Sequence, residues 1–112
     1  MRLPRLTHAV LLETPERVAD GAGGFVQSWR VLGTLWAEIN PRGGRETAQE
    51  GMRVSRVSHL VVVRGAPIGA PDRPKPEQRF RMGARVFVIR AVKERDPDGR
   101  YLICHVDEEA AV

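Results

Sequence analysis

The 112-residue chain holds one cysteine, Cys104, and two lysines, Lys75 and Lys93, beside sixteen arginines. A single cysteine excludes an internal disulfide framework and fits assembly in a reducing compartment. Long apolar runs are missing too. The longest, residues 9–12, 60–63 and 86–89, are four residues each. A membrane-spanning helix needs about 20 apolar residues, so no membrane partner is expected. Met1-Arg2-Leu3-Pro4-Arg5 leads into no apolar h-region, and no secretory signal is expected. Repeats of 20–50 residues and low-complexity tracts are absent.

Catalytic and metal-binding patterns are equally sparse. The three histidines, His8, His59 and His105, stand beside no serine, cysteine or aspartate in a known nucleophile elbow. His59 reads as a strand histidine with a satisfied hydrogen bond rather than a catalytic base. There is no C-x-x-C or H-x-x-x-H pair, and adjacent Cys104 and His105 point to opposite faces of a strand. Cys104 is expected as a small buried hydrophobe on the Leu102 and Val106 face. The glycines of residues 21–24 lack the Lys-Ser/Thr of a phosphate loop and read as a hairpin turn. No catalytic residue, cofactor or metal is implied.

What remains is β-like. The chain is 42% hydrophobic and 29% charged, an ordinary globular composition, and its length suits one domain over residues 1–112. Short alternating runs at residues 7–13, 25–32, 34–39, 54–64, 79–82, 85–93 and 100–106 are separated by turn chemistry. Pro15 and Pro41 are expected to end the first and third runs, because proline cannot donate to a ladder. Asp96-Pro97-Asp98-Gly99 is a strong turn signal before the last run. The expected fold is mainly β: a small antiparallel sandwich or barrel of six to seven strands with one short helix or loop insertion.

Three segments break this pattern. Residues 40–56 carry helix formers around Glu46 and Glu50 and read as at most two helical turns or a mobile loop. Residues 65–78 hold four prolines and no period; loops this long are usually functional or disordered. Residues 107–112 read as an acidic tail with a disordered end.

Net charge is +4 and the sequence pI near 10.2, which argues for a polyanion nearby or a solubility device but says nothing of fold. Arg42, Arg45, Arg53 and Arg56 lie in the 40–56 segment, and Arg73, Lys75, Arg79 and Arg81 lie in or just after the proline-rich loop. Singly each is an ordinary solvated arginine. For the clusters together, contact with phosphates or acidic partner surfaces is as good a reading as a solvated surface. Phe25, Trp29 and Trp36 could form a base-stacking platform, but Arg30 falls on the face opposite Trp29. No helix-turn-helix, zinc finger or single-strand-binding signature accompanies the arginines, so sequence-specific readout is not expected.

A family resemblance goes further. Leu35-Trp36-Ala37-Glu38-Ile39, then Gly44-Arg45-Glu46, then the Ser58-His59 strand through Arg64, then Gly83-Ala84-Arg85-Val86-Phe87-Val88-Ile89 follow one another in order. This series resembles the phage head–tail joining family, in particular its head-closure or stopper members in phages and alphaproteobacterial gene transfer agents. The resemblance covers residues 8–106. It implies a virion structural protein, assembled in the bacterial cytoplasm, whose copies form a cyclic ring, a hexamer or dodecamer. Such a ring joins portal and adaptor proteins to a tail terminator protein and surrounds the double-stranded DNA exit channel. Residues 40–56 would be the channel loop, with Arg42, Arg45, Glu46, Glu50, Arg53 and Arg56 facing DNA or a neighbouring subunit. Arg73, Lys75 and Arg79 would belong to a partner-contact loop. The alternative is a small β-barrel that binds nucleic acid without sequence preference.

Overall fold

A computed structural model describes residues 2–42 and 57–109. These residues form six strands and no helix: β1 (His8–Ala19), β2 (Phe25–Pro41), β3 (Val57–Arg64), β4 (Arg79–Met82), β5 (Arg85–Glu94) and β6 (Tyr101–Glu109). All pairings are antiparallel. The sheet closes on itself in the order β1-β2-β3-β6-β5-β4, a barrel-like ring without a free end strand.

Alternation along the strands explains the interior. Val10 and Leu12 of β1, Val61 and Val63 of β3, Phe80 of β4, Phe87 and Ile89 of β5, and Leu102, Cys104 and Val106 of β6 are all buried in one cluster. Their neighbours in sequence point outward. Cys104 lies on the Leu102 and Val106 face, as the pattern required, and burial pushes its thiol up to about 12. His59 joins the interior with its ring edge-on to Phe87, 5.4 Å between centroids, and its Nδ1 lies 3.3 Å from the Val57 carbonyl.

The strand boundaries differ from the sequence expectation at four places. Residues 25–32 and 34–39 are one strand, not two, so the ring has six strands and not seven. Gly33 lies in the ladder opposite Leu12, beside a bulge that leaves Leu32 without a partner. Pro15 does not end β1; it pairs with Trp29, and β1 continues to Ala19. Pro41 likewise lies within β2, opposite His59. Asp107, Glu108 and Glu109 are not a tail: they pair with β3 or β5 as the end of β6. Most of the expected helix or loop at residues 40–56 lies outside the described residues, as do residues 110–112.

The proline-rich loop is held in place. Pro74 and Gln78 are buried. The Arg73 guanidinium donates to the Ala66 carbonyl at 2.8 Å, and Gln78 Oε1 accepts from the Lys75 amide at 2.9 Å. Gly65 donates to the Arg100 carbonyl at 2.7 Å, and any Cβ there would lie 2.0 Å from the Gly99 carbonyl oxygen. Only glycine permits that approach.

Candidate docking and channel surfaces

Two regions carry features that the interior does not consume. One is a two-stranded arm. β1 contacts β4 only from Leu11 to Glu13, and β2 contacts β3 only from Ala37 to Pro41. Among the described residues, no other strand lies beside the intervening hairpin, residues 14–32. At about 3.3 Å per residue, the seventeen residues of β2 account for much of the 52 Å long axis. The arm turns at residues 20–24, where Asp20 Oδ1 accepts from the Ala22 and Gly24 amides and Gly21 and Gly23 take positive φ.

The arm is joined to the barrel by a charged knot. Glu13 is 3% exposed, and its carboxylate receives the Arg79 Nε at 2.7 Å and the Arg81 Nε at 3.0 Å. Burial alone would push this carboxyl up; the two arginines outweigh it and hold it below its usual range. The Arg79 guanidinium also lies over the Trp29 ring, 4.0 Å from its centroid. The register explains the meeting: Glu13 pairs with Val31 on one side and Arg79 on the other, placing Glu13, Arg79 and Trp29 on one outer face.

Beyond the knot the arm exposes apolar side chains. Phe25 is 60% exposed, Val26 53%, Val31 47% and Val18 44%, and Trp36 near the base is 58% exposed. Register places Phe25, Trp29, Val31 and Trp36 on the outer face and Val18 and Val26 on the reverse face. Arg17 covers part of Phe25 at 4.6 Å, and Arg30 pairs with Glu16 on the reverse face.

The second region is the start of the 40–56 segment. Arg42 is exposed; its amide donates to the Ser58 carbonyl at 3.0 Å and its guanidinium lies 3.3 Å from His105 Nδ1. Burial, with Lys93 and Arg42 nearby, holds the His105 imidazole below its usual value. Arg45, Glu46, Glu50, Arg53 and Arg56 lie outside the described residues. Of the second predicted set, Arg73 is engaged by Ala66 and Arg79 by Glu13 and Trp29, while the Lys75 side chain is exposed.

Beside Arg42 is a depression of about 380 Å³ lined by Arg2, Arg5, Thr7, His8, Glu38, Ile39 and Asn40. Glu38 organises it. Its carboxylate accepts from both Arg2 guanidinium nitrogens at 3.1 and 3.0 Å, from the Arg5 amide at 2.7 Å and from Asn40 at 2.9 Å. The Arg2 hydrogen bonds are the main reason its pKa falls to about 2. Among the described residues, no three His, Cys, Asp or Glu side chains converge as metal ligands.

Sequence reasoning missed both carboxylate centres. Glu13 follows an apolar run, and Glu38 sits within Trp36-Ala37-Glu38-Ile39; a charge held inside strand pattern was the available signal. It also missed that Arg79, fifty residues away, would supply the basic group beside Trp29 that Arg30 could not.

The family model for phage head completion proteins matches residues 1–109. This chain belongs to that family. Among solved structures, it is similar to a chain in the virion of a native gene transfer agent particle, with 49% identity and a TM-score of 0.84. That match covers 98% of this chain and all of the other. A Shigella flexneri 2a protein solved in solution matches over both full lengths at 20% identity and a TM-score of 0.70, a likeness of fold. No curated protein matches. The head completion chain is thus a virion structural protein of phage or gene-transfer-agent type.

Proposed function

We propose that this head completion protein is a ring subunit of the head–tail connector, closing the DNA exit of a phage-like particle. The observation that carries the reading is the match along the whole chain to a component of a gene transfer agent virion. In this reading copies form a cyclic hexamer or dodecamer with heterologous interfaces that close by rotation. Portal and adaptor proteins meet it on the head side and a tail terminator protein on the tail side. Double-stranded DNA passes through its centre.

The 40–56 segment lines or gates the channel. Arg42, Arg45, Arg53 and Arg56 supply cationic contacts to phosphates, and Glu46 and Glu50 pair with arginines of the adjacent subunit. Channel DNA must slide, so contact without base readout suits the task. Lys75 faces a neighbour from the proline-rich loop, which Arg73 holds in shape through the Ala66 carbonyl, while Arg79 is tied to Glu13 and Trp29. The role is structural, requires no catalytic group, and is exercised in the particle after assembly in the bacterial cytoplasm.

The test replaces Arg42, Arg45 and Arg53 together with alanine in the producing cell. The reading expects particles that lose packaged DNA to nuclease, with a ring at the head–tail junction in negative stain. Unchanged DNA retention would overturn the channel assignment. Strong, salt-dependent binding of the isolated monomer to free DNA, without any ring in the particle, would favour the nucleic-acid-binding barrel instead.

A further inference from the structure

The arm has two free edges, and they are not alike. The Asp20 amide donates to the Gly24 carbonyl at 3.1 Å, which fixes the phase of hydrogen bonding along the hairpin. In an antiparallel pair, bonded and non-bonded residue pairs alternate. By the observed register, Val18/Val26, Glu16/Ser28 and Thr14/Arg30 bond within the arm. Ala19/Phe25, Arg17/Gln27, Pro15/Trp29 and Glu13/Val31 turn their backbone groups outward. Pro15 therefore sits where its missing N–H costs the arm nothing, and it removes a donor from the outer edge of β1. That edge is guarded, with Glu16 and Arg17 following the proline.

The β2 edge has no such guard. Phe25, Gln27, Trp29 and Val31 present N–H and C=O groups that no backbone among the described residues meets. The residues along it are β-formers, and its one charge is Arg30, already paired with Glu16. Phe25, Val26, Val31, Val18 and Trp36 add on the order of 500 Å² of exposed apolar surface, spread over both faces. A standard interface takes about 800 Å² from each partner. A free edge with apolar groups above and below is the template used when an extended segment adds as a strand.

We infer that the β2 edge from Phe25 to Val31 accepts an extended, uncharged, alternating apolar strand from a different structural protein of the particle. Charge selects a protein over DNA. Within residues 14–32 the charged groups Glu16, Arg17, Asp20 and Arg30 cancel, in a chain whose net charge is +4. Neither of the chain's other free edges among the described residues offers a matching strand from a second copy. The outer edge of β1 is blocked by Pro15. The edge of β5 that β4 leaves free, from Ala91 to Glu94, is short and carries Lys93 and Glu94. Neither complements an apolar edge of this length. The inference rests on membership of the particle and not on DNA gating.

The test uses particles from a producing cell in which the variant replaces the native chain. Gln27→Pro removes one outward N–H and no hydrogen bond inside the arm. The expected result is at least a tenfold fall in this protein per purified particle, with an unchanged melting temperature of the isolated chain. Arg17→Pro, at the guarded edge, leaves incorporation unchanged. If Gln27→Pro lowers the melting temperature, Val31→Lys serves in its place, with the same expected loss. A photo-crosslinking residue at position 27 in assembled particles is expected to yield a crosslinked peptide of another particle protein. Normal incorporation of the variant, a crosslink to a second copy of this chain, or no crosslink would each overturn the inference. Loss of packaged DNA with normal incorporation would overturn it as well and assign the effect to the channel.

Discussion

The barrel and the arm are built from the same two strands, yet they satisfy opposite conditions. Where β1 and β2 run through the ring, each has a second strand at least at one point along its outer edge, and Val10, Leu12 and Ala37 are sealed inside. Past the Glu13 knot the ribbon is two strands wide among the described residues, and it exposes Phe25, Val26 and Val31. An isolated two-stranded hairpin is marginal in water. The difference teaches where this protein is complete and where it is half of something. The barrel holds itself together; the arm is shaped for contact.

That contrast can be broken from the barrel side first. Phe87→Ala empties a fully buried site between His59 and the β4 strand and should cost about 3–5 kcal/mol in urea unfolding. Gly65→Ala should follow at about 1–3 kcal/mol in the same measurement, because its Cβ would meet the Gly99 carbonyl. Glu13→Gln tests the joint between the regions. It leaves Arg79 and Arg81 without their carboxylate and should cost about 1–3 kcal/mol, with Trp29 fluorescence reporting the displaced guanidinium.

Acid probes the same side more gently. Glu38 falls from its ordinary 4.5 to about 2 in the folded chain, so between those values the unfolded state binds more protons. Stability therefore drops as pH falls through that window, and Glu38→Gln should flatten that part of a pH series of melting temperatures. The smallest effect belongs to the arm. Val26→Thr should change the stability of the isolated chain by less than about 0.5 kcal/mol, since Val26 is 53% exposed.

Much of this was legible in the sequence, for reasons that particular residues make plain. Period-two alternation placed Val61, Val63, Leu102, Cys104 and Val106 inside, because a half-buried strand leaves that signature directly. The same logic failed at Pro15, Gly33 and Pro41. Each was read as punctuation from its local chemistry, but each occupies a ladder position where that chemistry does no harm or where a bulge absorbs it. The candidate surfaces were less legible. The knot of Glu13, Arg79 and Trp29 joins three strands, and pairing between distant strands is invisible to a linear pattern. The arm's exposure was hidden for the same reason: Phe25 to Val31 looks like any core strand until the neighbours are known to stop at Glu13 and Ala37.

Hydrogen exchange tests the division between a self-sufficient barrel and a partner-dependent arm most directly, read residue by residue in the free chain and in assembled particles. The account predicts that the Gln27, Trp29 and Val31 amides exchange freely in the isolated protein and become protected in the particle. Amides of β3 and β6 should be protected equally in both. Equal protection of the arm amides in the two states, whether high or low, would contradict it.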